Sequence, residues 1–538
     1  MRNLAWKGAA AAAAAAVVAA APLAPAHAGG HKDEVDPTQS NAIDTAWGDD
    51  ETKEGKKATK KGSWNAADDD GSMFSVTAAI GAQQAWARGV TGDHVTVALI
   101  DTGVAPVQGL DKDDKVIDGP DLSYESQAAG TRYVDGFGHG THLAGIIAGA
   151  DEHFDPKHPA ASVFTGVAPK AQLLNVKVAT GDGGTDVSQV IAAIDWVVEH
   201  RDDAGMHVRV INLSYGTESA QPWQIDPLAR AVENAWNKGI VVVAAAGNGG
   251  ADAGLTMPAA DPHIVSVGAV DHQGTPATDD DVVADFTSAG GAARRPDVLA
   301  PGKSLVSLRV PGSFADVAHP EGLVSGDDAG RFFRGSGTSQ AAAVVAGEVA
   351  LLLDARPTLS PDQVKSLLMS TARPLVANSS PAQGAGVADV AAALGRLADK
   401  QPVTGAGTAG LPASTGLGSL EASRGGEHVA DPANGVELVG EYDALGSPWN
   451  AAAWAAAEDA GTTWVKGSWN NRTWAGTKWD KKQLQGVAWT GRSWSGAPWA
   501  DHAWSDAQWE ARTWRGNSWR ARTWRAENWS ARTWRSND

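Results

Sequence analysis

The sequence predicts an α/β fold in which helices cover both faces of a parallel sheet. Short runs of Val, Ile, Leu and Ala alternate with helical patterns of about 10–15 residues. Two predicted strands run directly into polar residues, Asp101 after the first and Asn248 after a later one. Because ligands and chemistry collect at the carboxyl ends of such strands, these residues are the first candidates for a functional site.

The predicted elements follow one another as a parallel sheet with crossover helices requires. Ile80, Ala85 and Trp86 indicate a short helix that Gly89 ends. The predicted strands, all short apolar runs, are residues 95–100, 173–178, 208–213, 240–246, 264–270 and 298–302. The predicted helices, all with apolar residues at helical spacing, are residues 143–149, 186–200, 227–238, 339–353, 361–371 and 387–397. The acidic stretch between the first strand and residue 138 is predicted to be an irregular loop.

The first 28 residues have the pattern of an export signal. Arg2 and Lys7 precede an apolar run from Ala9 to Leu23, and Ala26-His27-Ala28 is a small-x-small cleavage site. The run has no polar face and is shorter than the roughly 20 residues that a membrane span needs. No later segment has the pattern of a transmembrane span. We therefore expect a secreted, extracellular protein.

Composition excludes several classes of protein. The chain has no cysteine, which rules out disulfides, thiolate metal sites and thiol proteases. A net charge of −19 argues against a nucleic-acid partner. Residues 29–72 are polar and are predicted to be a pro-segment or disordered. Residues 73–400, with the apolar residues for one large core, are predicted to be the main domain.

The chemistry is predicted around Ser339. A Gly-Ser-Gly-Thr turn at residues 335–338 leads into the long apolar helix, so Ser339 stands at a helix start. Unpaired N–H groups and the helix dipole favour a developing anion there. A serine hydroxyl needs a base and a carboxylate to become a nucleophile. His139, at the start of a helix, and Asp101 are the candidates.

The motifs around these residues resemble those of the subtilisin-like (subtilase) serine proteases. They are Ala-Leu-Ile-Asp-Thr-Gly at 98–103, Gly-His-Gly-Thr-His at 138–142, Ala-Ala-Ala-Gly-Asn at 244–248 and Gly-Thr-Ser at 337–339. The resemblance covers roughly residues 75–400, with Asp, His and Ser in the family's chain order. It implies a subtilisin-like fold and hydrolysis of polypeptides by Asp101, His139 and Ser339. Asn248 and the Ser339 N–H would then bind the oxyanion.

The resemblance also implies where substrate binds. Ser214, Tyr215 and Gly216 correspond to the segment that pairs with the substrate backbone and lines the primary pocket. Residues 181–184, with Gly183 and Gly184, stand in the place of the opposite edge. Pairing with an extended peptide implies an endopeptidase of broad tolerance. No cofactor is required for catalysis, no metal ligand is assigned, and structural calcium is left open.

The sequence departs from the family at three places. Family members commonly have Met after the nucleophile and Pro-His further along, where this chain has Gln340 and then Ala343-Val344. The pre-segment is also shorter and more polar than the usual inhibitory pro-domain, which leaves a zymogen form in doubt.

Three nearby side chains have simpler interpretations. Ser336 is expected to be a turn residue rather than the nucleophile. His142 lies three residues after His139, a spacing that fits a structural hydrogen bond better than a zinc pair. Asp135 is open as a helix cap or a calcium ligand.

The C-terminal part is repetitive. Residues 401–446 are rich in Gly, Ala, Ser and Pro and are predicted to be a linker with few contacts to the main domain. In residues 447–538, Trp fills 16 of 18 positions spaced five apart from Trp449 to Trp534; Asp459 and Leu484 are the exceptions. This period fits neither a helix nor a strand, and leaves open a coil of short strands or a disordered segment.

The function of this Trp-repeat tail has two interpretations of equal weight. Exposed tryptophans would anchor the protein to a cell-surface or wall glycan. Alternatively, the repeat packs on itself and binds no ligand.

Two hypotheses about the whole chain follow. It is a secreted serine endopeptidase with an appended tail, or a binding protein in which the protease-like domain is only a scaffold. The presence of Asp101, His139, Ser339 and Asn248 together favours the enzyme.

Overall fold

The computed structural model describes residues 63–473, except 128–131, 204, 276, 377–379, 400–401, 406–407, 409, 427 and 430–436, and also residues 478–479 and 484–485. The predicted export signal, most of the predicted pro-segment and most of the Trp-repeat tail therefore lie outside the described residues.

Helices and strands alternate through the described part of the chain. The helices are α1 Met73–Ala79, α2 Ala82–Ala87, α3 His139–Ala148, α4 Val187–His200, α5 Pro227–Asn237, α6 Phe314–Ala318, α7 Thr338–Ala355, α8 Pro361–Thr371, α9 Val390–Ala398, α10 Leu420–Arg424 and α11 Ala451–Ala460. The strands are β1 Thr96–Asp101, β2 Val116–Asp121, β3 Gln172–Lys177, β4 Val208–Leu213, β5 Val241–Ala245, β6 Val265–Asp271, β7 Val282–Val283, β8 Val298–Pro301, β9 Leu305–Leu308, β10 Phe332–Gly335, β11 Trp464–Val465, β12 Ser468–Trp469, β13 Arg472–Thr473, β14 Lys478–Trp479 and β15 Leu484–Gln485.

An eight-stranded sheet organises the described residues. Its order is β2-β3-β1-β4-β5-β6-β7, and β8 also pairs with β6. All neighbours are parallel except β6 and β7, which confirms the predicted fold class. The chain places β3 and β2 on one side of β1 and β4 to β6 on the other, so the winding reverses at β1. Such a reversal opens a crevice at the carboxyl ends of the strands, where Asp101 lies.

One strand of this sheet contradicts the sequence prediction. Residues 104–137 were expected to be an irregular loop, but β2 lies within them and pairs with β3 from Val116 opposite Leu173. Its sequence, Val-Ile-Asp-Gly-Pro-Asp, is rich in residues that strands usually exclude. The strand forms at the edge of the sheet, where proline is tolerated, because β3 supplies its hydrogen bonds.

Helix α7 forms the centre of the core. It packs on β4, β5, β6 and β8, and it also contacts α3. Among the described residues it is the one helix long and apolar enough to cross a membrane, but 89% of it is buried inside the protein. Its apolar surface is therefore that of a core helix. Because the core holds this helix in place, the position of Ser339 near its start is fixed.

The main domain begins earlier than predicted. Residues 63–72 were assigned to the polar pre-segment, yet they fold against the domain. The Trp64 indole lies 5.1 Å from the Phe332 ring, and its Nε1 donates to Asp69. Asp69 in turn pairs with Arg334. The sequence of residues 63–72 alone could not predict these contacts, because the partners Phe332 and Arg334 lie far along the chain.

The expectation of few contacts after residue 400 is wrong for the described residues. We call residues 411–473 the strap; the structure describes 411–426, 428–429 and 437–473 of it. Leu420, Leu438, Leu445 and Trp469, among others in the strap, belong to the same buried core as the sheet. Part of the predicted linker and the first Trp repeats are therefore packed on the main domain.

The first Trp repeats are bound to α4. Trp454 Nε1 and Trp469 Nε1 both donate to Asp195 Oδ2, each at 2.8 Å. Trp464 Nε1 donates to the carbonyl of Ala192 at 2.9 Å. Asp459, which replaces Trp in the repeat, pairs with Arg230 of α5. This segment consists of α11 followed by the short antiparallel strands β11–β13. Short strands were one of the two structures left open for the repeat, and the helix was not expected.

Candidate active site

Asp101 and His139 meet at the carboxyl end of β1. His139, the first residue of α3, donates from Nδ1 to Asp101 Oδ1 at 2.8 Å. The same carboxylate oxygen accepts the Thr102 N–H at 2.8 Å. Both side chains are buried. This hydrogen bond fixes the imidazole orientation and leaves its Nε2 as the nitrogen able to take up a proton.

The backbone around this pair is closely packed. A Cβ on Gly140 would lie 2.1 Å from the Gly103 carbonyl oxygen and 3.1 Å from Asp101 Oδ1, so only glycine fits. Asp135 holds the turn before α3, since its carboxylate accepts the N–H groups of Gly138 and Thr141, each at 2.7 Å. Of the two roles left open for Asp135, the structure therefore supports the cap.

Ser339 and Asn248 meet at the start of α7. Asn248 Oδ1 accepts both the N–H and the hydroxyl of Thr338, at 2.9 and 3.0 Å. A Cβ built on Gly337 would lie 3.6 Å from Asn248 Nδ2 and 3.7 Å from Ser339 N. Both nitrogen atoms therefore border one small space at the start of α7, next to Gln340 Oε1, which would lie 2.8 Å from the same Cβ.

The Ser339 hydroxyl belongs to the same helix start. It is buried and has no hydrogen-bond partner in the structure. It is positioned by α7, which packs against α3, the helix that begins with His139. A hydroxyl without a competing partner is available to an adjacent base.

Ser214, Tyr215 and Gly216 follow β4 directly and lie next to Ser339. Ser214 Oγ donates to the carbonyl of Ser339 at 3.2 Å. A cavity of about 630 Å³ opens beside Asn248, but Ser214–Gly216 do not line it. Its walls come from the segments just after them and after Asn248, including Glu218, Gln221, Trp223, Leu255 and Met257. The role of Ser214–Gly216 in lining the primary pocket therefore stays a prediction.

Gly183 and Gly184 lie in a tight turn on the other side of the site. Thr180 N donates to the Gly184 carbonyl at 3.0 Å, and Gly184 N donates to Thr180 Oγ1 at 3.1 Å. These groups close the turn and are not an open strand edge. The turn packs on Phe137, which would lie 3.0 Å from a Cβ on Gly183, and Phe137 in turn lies beside His139.

Two side chains near the site have the structural roles expected of them. His142 Nε2 donates to the carbonyl of Phe333 at 3.2 Å, and burial lowers the pKa of His142 to about 3, which keeps it neutral. Ser336 Oγ accepts the N–H of Ser304 at 2.7 Å, as a turn residue.

Calcium does not fit the potential metal ligands that the described residues bring together. Glu233, Asp261 and His263 place their ligand atoms within 4.8 Å of one another. His263 Nδ1 lies 2.9 Å from Asp261 and 3.3 Å from Glu233, so one imidazole N–H is shared by the two carboxylates. Glu233 also accepts the N–H of Ser414. Calcium prefers six to eight oxygen ligands, and this group does not supply them.

A family model described as the subtilase family (peptidase S8) matches residues 92–391. This range includes Asp101, His139, Asn248 and Ser339. The chain belongs to the subtilase family. Subtilases are serine endopeptidases, and their catalysis needs no cofactor.

Curated relatives agree with this assignment. Serine protease AprX of Bacillus subtilis is 36% identical over 286 residues, which is 52% of this chain and 61% of the relative. Subtilisin DY of Bacillus licheniformis is 34% identical over 297 residues, or 54% of this chain and 89% of the relative. The minor extracellular protease Epr of Bacillus subtilis is 31% identical over 275 residues, 51% of this chain and 34% of Epr. The chain thus spans less than two thirds of the length of some relatives.

The subtilase site also has features that the motifs did not indicate. Lys177, fully buried at the end of β3, pairs with Glu125 at 2.7 Å, and Glu125 accepts the N–H of Gly181 at 2.7 Å. Through the hydrogen bond from Gly181 to Glu125, this pair holds the turn at residues 180–184 in place. A lysine at the end of an apolar strand was the one visible signal; its partner could not be identified without the tertiary structure.

Proposed function

We propose that this subtilase is a secreted endopeptidase that cleaves extended polypeptides through an acyl-enzyme on Ser339. The observation that carries the proposal is the buried 2.8 Å hydrogen bond from His139 to Asp101, in a site where Asn248 Nδ2 and Ser339 N border one space. The scaffold alternative gains no support, because every group needed for catalysis is present.

Each group has a role that follows from its position. His139 takes the Ser339 proton as Oγ attacks the scissile carbonyl, and returns the proton to the leaving amine. Asp101 keeps the tautomer with Nδ1 protonated and stabilises the imidazolium. Asn248 Nδ2 and Ser339 N donate to the oxyanion of the tetrahedral intermediate. Water then hydrolyses the acyl-enzyme by the same proton transfers in reverse.

Substrate binding is proposed between two segments. The backbone of Ser214–Gly216 would pair with the residues before the scissile bond, and the turn at 180–184 would border them on the opposite side. The side chain just before the scissile bond would enter the cavity beside Asn248. Pro222, Trp223, Leu255 and Met257 form the apolar part of this cavity, which also has polar lining residues such as Glu218 and Arg294. Its volume would accept a sizeable side chain.

Secretion is supported by the pattern of residues 1–28 and by the name of one relative, the minor extracellular protease Epr. An attachment role for the tail is proposed only for the repeats after Thr473. The earlier repeats pack on the main domain, whereas twelve further tryptophans follow that residue. Repeated aromatic side chains would bind a wall glycan through many weak contacts.

The catalytic assignment is tested by a matched pair of serine variants. Ser339→Ala should abolish peptide hydrolysis and labelling by a fluorophosphonate, with thermal unfolding close to that of the wild type. Ser336→Ala, three residues away and also a buried hydroxyl, should remain labelled and active. Retained labelling of Ser339→Ala together with its loss in Ser336→Ala would reverse the assignment.

A further inference from the structure

Helix α10 of the strap, which consists of only five residues, makes a buried ion pair with the start of α4. Arg424 Nε donates to Asp186 Oδ2 at 2.6 Å, and side-chain exposures are 1% for Arg424 and 2% for Asp186. Arg424 also donates to Glu421 and to the carbonyls of Gly440 and Tyr442. All five N–H groups of the guanidinium are therefore used, counting its second bond to Asp186.

Asp186 connects this pair to one side of the substrate cleft. It is the N-cap of α4 and accepts the N–H of Ser188. It follows Gly184 by two residues, so it fixes the chain where the turn at 180–184 ends. Burial alone would raise the pKa of Asp186, but attraction to Arg424 and hydrogen bonds outweigh it and hold this pKa below its usual value. The carboxylate is thus charged and depends on Arg424 for compensation.

Helix α10 and its N-cap Ser419 also contact residues 219–221, next to the cavity beside Asn248. Ala220 N donates to the carbonyl of Ala422 at 2.9 Å, and Ser219 Oγ donates to the same oxygen. Gln221 Nε2 donates to the carbonyl of Ser419 at 2.9 Å, and Ser419 N donates back to Gln221 Oε1 at 3.0 Å. Ser219 and Gln221 are lining residues of the cavity beside Asn248.

We propose that α10 positions the two sides of the substrate cleft relative to each other, with Arg424 as the positioning residue. The helix touches neither Asp101, His139 nor Ser339. It spans from Asp186, behind the turn at 180–184, to Ser219–Gln221, behind the cavity wall. A misplacement of about 1 Å in a substrate-positioning element can lower rates about 100-fold. This inference rests on the proposed function, since it concerns how that substrate is held.

The test compares Arg424→Gln with Trp464→Phe in the full chain. The control keeps its ring in the strap but loses the hydrogen bond to Ala192, away from the cleft. Two substrates are used: a tetrapeptide anilide, which occupies both sides of the cleft, and a single-residue ester, which occupies only the cavity. Measurements are made well below the unfolding temperature of either variant. Fluorophosphonate titration gives the concentration of active sites.

Arg424→Gln should lower kcat/KM for the tetrapeptide by about tenfold or more relative to the ester, mainly through KM. Trp464→Phe should lower Tm without changing this ratio. An unchanged ratio in Arg424→Gln, with only Tm reduced, would overturn the proposal and leave Arg424 with a stabilising role.

If Arg424→Gln does not fold, Arg424→Lys decides the question. Lysine keeps the charge but loses the planar, multiple-donor contact. If Arg424→Lys has a tetrapeptide-to-ester ratio of kcat/KM clearly below that of the wild type, the proposal is supported. A ratio equal to that of the wild type overturns it. Failure of the wild type to react with the fluorophosphonate would instead contradict the proposed function itself.

Discussion

At the scale of single residues, the position after Ser339 is unusual. Gln340 is buried, and neither its Oε1 nor its Nε2 has a hydrogen-bond partner in the structure. Its Oε1 lies 2.8 Å from the place of a Cβ on Gly337, next to the proposed oxyanion space. Leaving buried polar groups unpaired costs about 1–3 kcal/mol. Gln340 therefore lowers stability at a position where most relatives are expected to have methionine.

This residue gives a prediction about oxidation. Peroxide converts methionine to a polar sulfoxide, whereas glutamine does not react. Gln340→Met should raise Tm, because it removes two unpaired polar atoms, and should make activity sensitive to dilute peroxide. The wild type should keep its activity under the same treatment. Residual activity and peptide mapping by mass spectrometry measure both outcomes.

Met257 is the necessary control, because it lines the cavity beside Asn248. Met257→Leu should respond to peroxide as the wild type does. If the wild type loses activity rapidly and Met257→Leu does not, the cavity methionine is the sensitive group and the prediction for Gln340 is wrong.

At the scale of elements, one carboxyl group of α4 binds two tryptophans of the strap. Asp195 accepts the indole N–H groups of Trp454 and Trp469 on Oδ2, while its Oδ1 has no partner. Burial raises the pKa of Asp195 to about 7, and the nearby Glu199 adds to this, against the hydrogen bonds and Arg230. The folded protein therefore binds this proton more tightly than the unfolded chain does.

The pH dependence of stability follows from the upward shift of the Asp195 pKa on folding. A carboxyl whose pKa is raised on folding stabilises the protein fully at low pH and loses this contribution as pH rises from about 4 to about 7. Asp195→Asn keeps the acceptor for both indoles but does not titrate. The Tm of Asp195→Asn relative to the wild type should therefore increase across this window and then level off.

Asp459→Asn serves as the control for this measurement, since the carboxylate of Asp459 is on the same strap and 76% exposed. Its Tm difference from the wild type should not follow the same rise. Parallel curves for Asp195→Asn and the wild type between pH 4 and 7 would show that Asp195 does not carry the effect.

At the scale of the whole molecule, the strap changes what a truncation should do. The linker composition predicted few contacts between residues 401–446 and the main domain, so that a chain ending near Lys400 would still fold. The structure instead buries Leu420, Trp454, Trp464 and Trp469 against the main domain. Each large apolar side chain buried in this way contributes about 1.5–3 kcal/mol. Removing the strap would also expose the apolar surface of the main domain on which these side chains pack.

We therefore expect opposite results from two truncations. A chain ending at Lys400 should have a much lower Tm, or fail to accumulate, and should lose peptidase activity. A chain ending at Thr473 keeps the strap and should hydrolyse small peptides as the full chain does. Thermal unfolding and anilide hydrolysis measure this. Equal stability of the two truncated chains would mean that the strap contributes nothing to the fold.

The same chain ending at Thr473 also tests the anchor. Its binding to insoluble cell-wall material should fall below that of the full chain, because it lacks twelve repeated tryptophans. Equal retention would leave the repeat with no role in attachment.

Much of the site was predictable because its chemistry is local in sequence. Asp101 follows an apolar run, His139 and Ser339 each follow glycine-rich turns that begin helices, and Asn248 ends another strand. Side chains at strand ends and helix starts converge wherever a parallel sheet forms, so pattern and motif together indicated the same four residues. The substrate edges were less accurately placed, since loops of similar composition can close into a turn, as at Gly183 and Gly184.

The sequence by itself determined the fold class, the family and the candidate catalytic residues, because apolar period and short motifs are properties of neighbouring residues. Only the tertiary structure decided that β2 forms, that Lys177 pairs with Glu125 and that Arg424 pairs with Asp186. These pairings join residues that are up to 238 positions apart. Composition made residues 401–446 appear to be a linker, because glycine, alanine and serine have weak preferences of their own. Their structure is set by the surface on which they pack, and that surface exists only once the sheet and α4 have formed.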